Sequence, residues 1–185
     1  MPSIGSLVNQ FRKEFKPDKV EDRNRLVEAF LALETLITGS GGASSSKTHY
    51  ARVNKAALQT ITNNTITALI FDTTTIQNGG LHSDTTQNTR LTAQRAGWYT
   101  MGGNVQWAAA GAGIRHIGVR INGATIIAST EVDPTGATIV DQAISTSYYL
   151  NVGDYAEIIV YQNSGGNLNV NQVANYSPEG FIGEH

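Results

Sequence analysis

The chain has 185 residues and carries 13 lysines and arginines against 15 aspartates and glutamates, a length typical of one domain with a small appendage. Its formal net charge of −2 provides no basic field, which argues against general binding to the phosphate backbone of a nucleic acid. The absence of cysteine excludes disulfides, thiolate catalysis and cysteine-ligated metal centres.

The few charges are distributed unevenly along the chain. Residues 1–42 carry 6 basic and 6 acidic side chains, which leaves 7 and 9 for the rest of the sequence. This distribution predicts a charged N-terminal segment joined to a nearly uncharged body rich in Gly, Thr, Asn and Gln. The most apolar run, Leu26–Ile37, contains Glu28 and Glu34 and is shorter than the roughly 20 residues of a membrane span. No signal peptide is recognisable, and we expect no membrane insertion.

The first predicted helix lies before Pro17, a residue that disfavours helical backbone in the residue preceding it. Its apolar residues recur at helical spacing and form one stripe. We interpret this stripe as a surface that docks the chain onto a larger particle, with simple self-association as the alternative. The predicted docking residues are Ile4, Leu7, Val8, Phe11 and Phe15.

A second helix is predicted from Asp18, which can cap it together with Glu21 three residues later. The apolar residues that follow have the 4-3-4 spacing of a coiled-coil seam over about two heptads. A seam of this length is marginal alone but is useful where another domain already gathers several copies. The predicted stalk residues are Leu26, Phe30, Leu33 and Ile37. Residues 1–38 are therefore an anchor and stalk, and the Gly/Ser-rich residues 39–47 are a flexible linker.

Residues 48–185 are predicted to form an all-β head domain, because short runs rich in Val, Ile, Thr and aromatics alternate with turn signals. The predicted strands are 48–58, 65–72, 89–94, 97–108, 113–121, 124–131, 138–149, 154–162 and 174–182. Asn122-Gly123 predicts a type I′ hairpin. Strands at this spacing favour a sandwich, most naturally a jelly roll.

One predicted strand lacks the alternation of a half-exposed strand. The run Ile158-Ile159-Val160 is apolar throughout, which predicts that both faces of this strand are covered. We expect the sandwich core to cover one face and a neighbouring subunit to cover the other.

Four groups of residues carry a family likeness. They are Phe71-Asp72 with Asn78-Gly79-Gly80-Leu81, Arg90–Tyr99, Tyr149–Ile158 and Tyr176–Gly183. Together they resemble the ordered landmarks of the C1q/TNF-like jelly-roll family over about three quarters of the chain. Leu91 replaces the usual phenylalanine of the second group and Gln94 its usual proline. These landmarks chiefly preserve turns and core positions.

The resemblance implies a homotrimer of jelly rolls with a stalk on the N-terminal side. With the helical N-terminus and the cysteine-free head, the chain is most similar to bacteriophage fibre, receptor-binding and capsid-decoration (head fibre) proteins. We therefore expect a non-enzymatic virion structural protein on the capsid surface or tail. Its expected partners are itself, capsid or tail proteins through residues 1–38, and a host-surface glycan or protein as a candidate.

Two other functions stay open at this stage. One is a free-standing secreted C1q-like ligand or carbohydrate-binding lectin, and the other is a hydrolase acting on surface polysaccharide.

The sequence assigns no catalytic residue, no metal ligand and no cofactor. His82-Ser83-Asp84 has the letters of a catalytic triad, but three neighbours on one loop rarely converge, since triads combine distant segments. Aromatic residues are interpreted as core and trimer contacts, or as rings that stack on sugars. The candidate receptor-contact residues lie on predicted loops: His82, Asp84, Asp133, Asn163 and Asn167.

Overall fold

The computed structural model describes residues 48–185. The N-terminal predictions lie outside the described residues: the docking stripe of Ile4, Leu7, Val8, Phe11 and Phe15, the stalk seam of Leu26, Phe30, Leu33 and Ile37, and the linker of residues 39–47. Within residues 48–185 no helix is long and apolar enough to cross a membrane.

The described chain forms strands, as the sequence predicts. The strands are β1 Tyr50–Asn54, β2 Gln59–Ile61, β3 Thr67–Ala68, β4 Thr73–Asn78, β5 Leu91–Thr92, β6 Gly97–Ala110, β7 Arg115–Ile121, β8 Thr125–Val132, β9 Thr138–Leu150, β10 Tyr155–Gln162, β11 Leu168–Val170 and β12 Glu179–Glu184.

The strands form two antiparallel sheets. Sheet A has seven strands in the order β2-β11-β6-β12-β1-β4, and β9 pairs with the other side of β6. Sheet B has five strands in the order β3-β10-β7-β8, with β5 also paired to β10. One side of each sheet ends in a long strand with a single partner, β9 in sheet A and β8 in sheet B.

The core lies between the two sheets. Strand β6 alternates as a half-buried strand should, and Tyr99, Met101 and Trp107 are fully buried on its inner side. Ile117 and Ile158 of sheet B are equally buried. They belong to the same apolar cluster as the residues of β6. The predicted sandwich with a single core is confirmed for the described chain.

The predicted hairpin between β7 and β8 is confirmed in detail. Asn122 and Gly123 have φ angles of 52° and 70°, the left-handed values that both central residues of a type I′ turn require. The amide of Ala124 donates to the carbonyl oxygen of Ile121 at 3.0 Å and closes the turn.

Three strands were not predicted: β2, β4 and β11. Strand β4 has the sequence Thr-Thr-Thr-Ile-Gln-Asn and buries none of its residues completely, so it carries no apolar alternation. It is a strand because it pairs with β1, including a bulge between Arg52 and Val53. Strands β2 and β11 have three residues each and pair with one another across a long sequence separation. Such pairings are set by tertiary context rather than by local pattern.

The interpretation of Ile158-Ile159-Val160 needs a correction. All three side chains are fully buried within the single chain. Ile159 points away from the core, and its side chain lies close to Gly118, as does the ring of His116. The glycine leaves room for both side chains on the outer face of sheet B. The second face of β10 is therefore covered by the chain itself, and a neighbouring subunit is not needed there.

Candidate functional site

A surface cavity lies between β4 and β6, in the segment that contains two of the five candidate receptor-contact residues. Its volume is about 260 Å³. Leu81 and His82, both buried, form part of its lining. The polar side chains around it are Ser83, Thr86, Gln87, Arg90, Thr92 and Gln94. We call this cavity the Arg90 pocket.

His82 holds the loop of the Arg90 pocket from below. Its side chain is fully buried, and its two ring nitrogens face the carbonyl oxygens of Arg90 at 2.9 Å and Phe71 at 3.1 Å. The side chain of Gln77 accepts from the amide of His82 and donates to its carbonyl oxygen. His82 therefore shapes the pocket from within, and its ring does not reach the surface where a receptor would meet it.

Asp84, the second candidate in this loop, is partly exposed. One of its carboxylate oxygens accepts from the hydroxyl of Thr74 at 2.6 Å and lies 3.5 Å from Nε2 of His82. The structure thus brings His82 and Asp84 together, as neighbours on one loop. The Asp84 carboxylate is engaged with these two side chains and is not among the groups that line the Arg90 pocket.

Arg90 is the cation of the pocket. Its guanidinium carbon lies 4.1 Å from the ring centroid of Tyr155, a cation–π contact that orients the side chain. Thr89 and Arg120 both donate to the buried carboxylate of Glu157 beside this site. The guanidinium of Arg120 thereby neutralises the negative charge of Glu157. Within residues 48–185, no side chain or carbonyl accepts a hydrogen bond from the Arg90 guanidinium.

The wall of the pocket includes an unusual backbone conformation. Gln87 has a φ angle of 52°, in the left-handed region. The other described non-glycine residues with positive φ are all asparagines, which tolerate that region well. Arg90 donates its amide to the carbonyl oxygen of Gln87 at 2.9 Å, so this strained turn fixes the backbone of Arg90.

The remaining candidates lie at the opposite end of β10 from the Arg90 pocket. The side-chain oxygen of Asn163 accepts from the amide of Ile114 at 2.5 Å, so its amide group ties two loops together. Asn167 is exposed, and its side-chain oxygen lies 3.4 Å from the amide of Asn63. Asp133 is exposed just after β8. The five candidates therefore form two separate groups rather than one site.

A buried arginine of β7 was not singled out by the sequence. Arg115 is fully buried and donates to the carbonyl oxygens of Ala110, Ala112, Gly113 and Ile114, which holds this loop closed. Burial lowers the pKa of Arg115, and the charge of Asp133 opposes that effect. These contacts give Arg115 a structural role in the loop that follows β6.

Exposed aromatic and aliphatic side chains are concentrated on the outer face of sheet A. They come from four different strands: Tyr50, Ile76, Trp98, Ile139 and Tyr149. Trp98 is 58% exposed and makes an edge-to-face contact with Tyr149, with 6.0 Å between ring centroids. The charged pair Arg52–Glu179, joined at 2.6 Å, lies on the same face. We call this surface the aromatic face.

A second apolar surface lies at the unpaired edges of β8 and β9. Ile126, Val132 and Tyr148 are exposed there. Ile127, Val140 and Ile144 are only partly buried, although they pack against the core. The two sheets thus leave one side of the sandwich incompletely covered. We call this surface the open edge.

The described residues contain no group of three or more His, Asp or Glu side chains placed to hold a metal ion. The two most buried carboxylates of the described chain, Glu157 and Glu179, lie on the outer faces of different sheets and are each bound by an arginine. They cannot flank one glycosidic bond, which a carboxylate-dependent hydrolase requires.

Sequence reasoning missed Arg90, Gln87 and Gln94. Arg90 begins a group that carries the family likeness, and its charge next to a short strand was not distinguished from ordinary surface charge. A possible signal was the scarcity of such charges, since residues 48–185 have only 6 basic side chains. The positive φ of Gln87 has no sequence signal, because glutamine is not a residue that favours that region.

Comparison with solved structures finds the TNF-like jelly-roll fold. The crystal structure of murine APRIL at pH 5.0 matches with a TM-score of 0.58 and 10% sequence identity, covering 75% of this chain and 99% of that chain. Murine APRIL at pH 8.5 and at pH 8.0 matches with TM-scores of 0.54 and 0.55, each at 9% identity and with the same coverage. No protein-family profile and no curated protein matches the sequence. At this identity the likeness concerns the fold: the described chain is an all-β sandwich that resembles a TNF-like jelly roll.

Proposed function

We propose that the chain is a non-enzymatic bacteriophage virion structural protein. In this proposal residues 1–38 anchor a homotrimer to the capsid or tail, and the jelly-roll heads face outward for host-surface adhesion or capsid decoration. The proposal requires that the head associates with copies of itself and that the N-terminal segment binds the particle. These two requirements rest on different parts of the chain and can be tested separately.

The observation that carries the proposal is the pair of apolar surfaces on the head. The aromatic face and the open edge share β9, but their side chains lie on opposite faces of that strand, so contact between them joins unlike surfaces of two copies. Such a head-to-tail contact forms a closed ring when its rotation closes. The number three comes from the resemblance to the C1q/TNF-like family and is part of the proposal.

The virion placement is supported by the organisation of the sequence. The charge is concentrated before residue 43, next to an apolar stripe that contains Phe11 and Phe15. A stripe of this kind, separated from the stalk seam by Pro17, is suited to a groove on a larger partner. The nearly uncharged head has no electrostatic field that would draw it to nucleic acid.

Particle association is the decisive test. The full chain and a truncation lacking residues 1–38 would be produced in cells infected by the corresponding phage, and purified virions would be probed for each. We expect the full chain on the particle and the truncation in the soluble fraction. Electron microscopy of the virions would then place the head on capsid or tail.

A matched pair of variants sharpens this test. Phe11→Asp with Phe15→Asp should abolish particle association, because both side chains belong to the predicted docking stripe. Arg12→Gln with Lys13→Gln, which lie mostly off the stripe, should leave it intact. Virions that never carry the full chain would contradict the placement and favour a free-standing secreted ligand or lectin.

A further inference from the structure

We propose that the Arg90 pocket binds an anionic saccharide, that is, one sugar unit bearing a carboxylate or a phosphate. This inference rests on the adhesive role proposed above and names the chemistry of the ligand. It is carried by three features of the pocket: a guanidinium with no hydrogen-bond acceptor among residues 48–185, a ring of neutral polar side chains, and a loop fixed in advance.

The guanidinium determines the charge of the ligand. Arg90 lines the pocket and stacks on Tyr155, so its planar fork is oriented before any ligand arrives. The nearby carboxylates are already occupied, Glu157 by Arg120 and Thr89, and Asp84 by Thr74. An arginine fork pairs with a carboxylate or a phosphate in two parallel hydrogen bonds, and a charged hydrogen bond is about twice as strong as a neutral one.

The other lining groups determine that the anion is attached to a polyol. Hydroxyls come from Ser83, Thr86 and Thr92, and amides from Gln87 and Gln94. These groups both donate and accept hydrogen bonds, as sugar hydroxyls do. A volume of about 260 Å³ is below the range of roughly 300–1,000 Å³ for drug-sized ligands and suits a single sugar ring.

The loop is held in place by its own contacts. His82 fixes it from below, and the hydroxyl of Ser83 accepts from the amide of Thr86 at 3.1 Å. Gln87 keeps a left-handed backbone, and such strain persists where the surrounding structure determines it. Strain of this kind is concentrated at ligand-binding sites, and a site fixed in advance loses little conformational entropy on binding.

The test is an NMR titration of the purified, isotope-labelled full chain. The probes are glucuronic acid, glucose 1-phosphate, methyl glucoside and inorganic phosphate. We expect either acidic sugar, or both, to shift the amide signals of Ser83, Thr86 and Gln94. Which of the two acids binds more tightly identifies the source of the charge. We expect methyl glucoside and inorganic phosphate to bind at least about tenfold more weakly, since each lacks one half of the recognised chemistry.

Three variants test the assignment. Arg90→Gln should weaken binding of the acidic sugar about tenfold or more, and Gln94→Ala, an exposed lining residue, should weaken it by a smaller factor. Arg95→Gln removes an equally charged exposed side chain outside the pocket and should leave binding unchanged. Thermal unfolding of each variant identifies loss of fold, and Gln94→Ala keeps the test valid if Arg90→Gln unfolds.

Four results would overturn the proposal: no shift with either acid, equal binding of methyl glucoside, equal binding of inorganic phosphate, or full binding by Arg90→Gln. The titration uses the purified chain and is independent of virions. Its failure would leave particle association untouched, and a failure of particle association would leave the sugar affinity measurable.

Discussion

At the scale of single residues, the buried His116 of β7 makes the stability of the fold depend on pH. His116 is 8% exposed, and its Nδ1 is buried without a hydrogen-bond partner among the described residues. Burial lowers the pKa of His116, while the charge of Glu131 opposes that effect. Across β7 the same residue pairs with Glu131 of β8 and Tyr161 of β10. The neutral imidazole is therefore the form that this site favours.

The lowered pKa of His116 predicts a loss of stability in acid. Its ordinary value is about 6.5 in an unfolded chain, so between that value and the lower folded value the unfolded state binds more protons. The free energy of unfolding therefore falls as the pH is lowered below about 6.5. His116→Gln should show a smaller loss between pH 7.5 and pH 5.5 by thermal unfolding, and an equal loss in both proteins would contradict the role of this residue.

Some residue roles were predictable and others were not. Asp154 accepts from the amide of Asn151 at 2.8 Å, the bonding within its own turn that the sequence Asn-Val-Gly-Asp indicates. The hydrogen bond from Asn122 is the main cause that lowers the pKa of Asp154. Turn chemistry is local, so four residues suffice to predict it. The burial of Arg115 depends on packing between distant strands, and no local pattern indicates it.

At the scale of elements, a buried amide joins the two sheets at the open edge. Gln142 of β9 accepts from the indole nitrogen of Trp107 at 2.8 Å and donates to the carbonyl oxygen of Arg115 at 3.2 Å. The side-chain oxygen of Gln142 therefore bonds to sheet A, and its side-chain nitrogen bonds to sheet B. Both bonds are buried, and the connection fixes the separation of β9 and β7 at the open edge.

Removing this bridge should be costly. Gln142→Leu leaves the indole N–H of Trp107 and the carbonyl oxygen of Arg115 without partners, at about 1–3 kcal/mol for each buried group. We expect the free energy of unfolding to fall by about 2–4 kcal/mol in urea titrations at fixed protein concentration. Gln172→Leu, the same change at an exposed loop position, should alter it by less than about 0.5 kcal/mol. Similar losses in both variants would contradict the bridge.

The strands, too, divide into those that local sequence predicts and those that depend on contacts with distant parts of the chain. The long strands β6 and β9 were predicted to within two residues at each end, since alternation marks β6 and the Gly153-Asp154 turn follows β9. Strands β2, β4 and β11 were missed because pairing partners, not their own residues, make them strands. The Arg90 pocket lies in the loop between β4 and β6, and the fold of such a loop depends on buried anchors like His82.

At the scale of the whole molecule, contact between the aromatic face of one copy and the open edge of another would account for the exposure of both surfaces. A jelly roll that served alone would have little reason to expose Trp98 and Tyr149 on one side and leave Val140 and Ile144 half-covered on another. Interface centres are enriched in tryptophan and tyrosine. A contact between the two surfaces would bury both residue types together with the uncovered edge of the core. The sequence predicted self-association through β10, whereas the structure leaves sheet A and the open edge as the surfaces available for it.

The proposed head-to-tail trimer predicts a specific complementation. Trp98→Lys damages only the aromatic face, and Ile126→Lys damages only the open edge, so each variant alone should change from trimer to monomer by light scattering. An equal mixture should form dimers, because the intact edge of the first variant meets the intact face of the second. Val152→Lys, at a turn residue that is 69% exposed and lies on neither surface, should stay trimeric. A contact between like surfaces gives a different result, since no mixture of the two variants then restores association. A wild-type chain that runs as a monomer of 19.8 kDa would overturn the assembly itself.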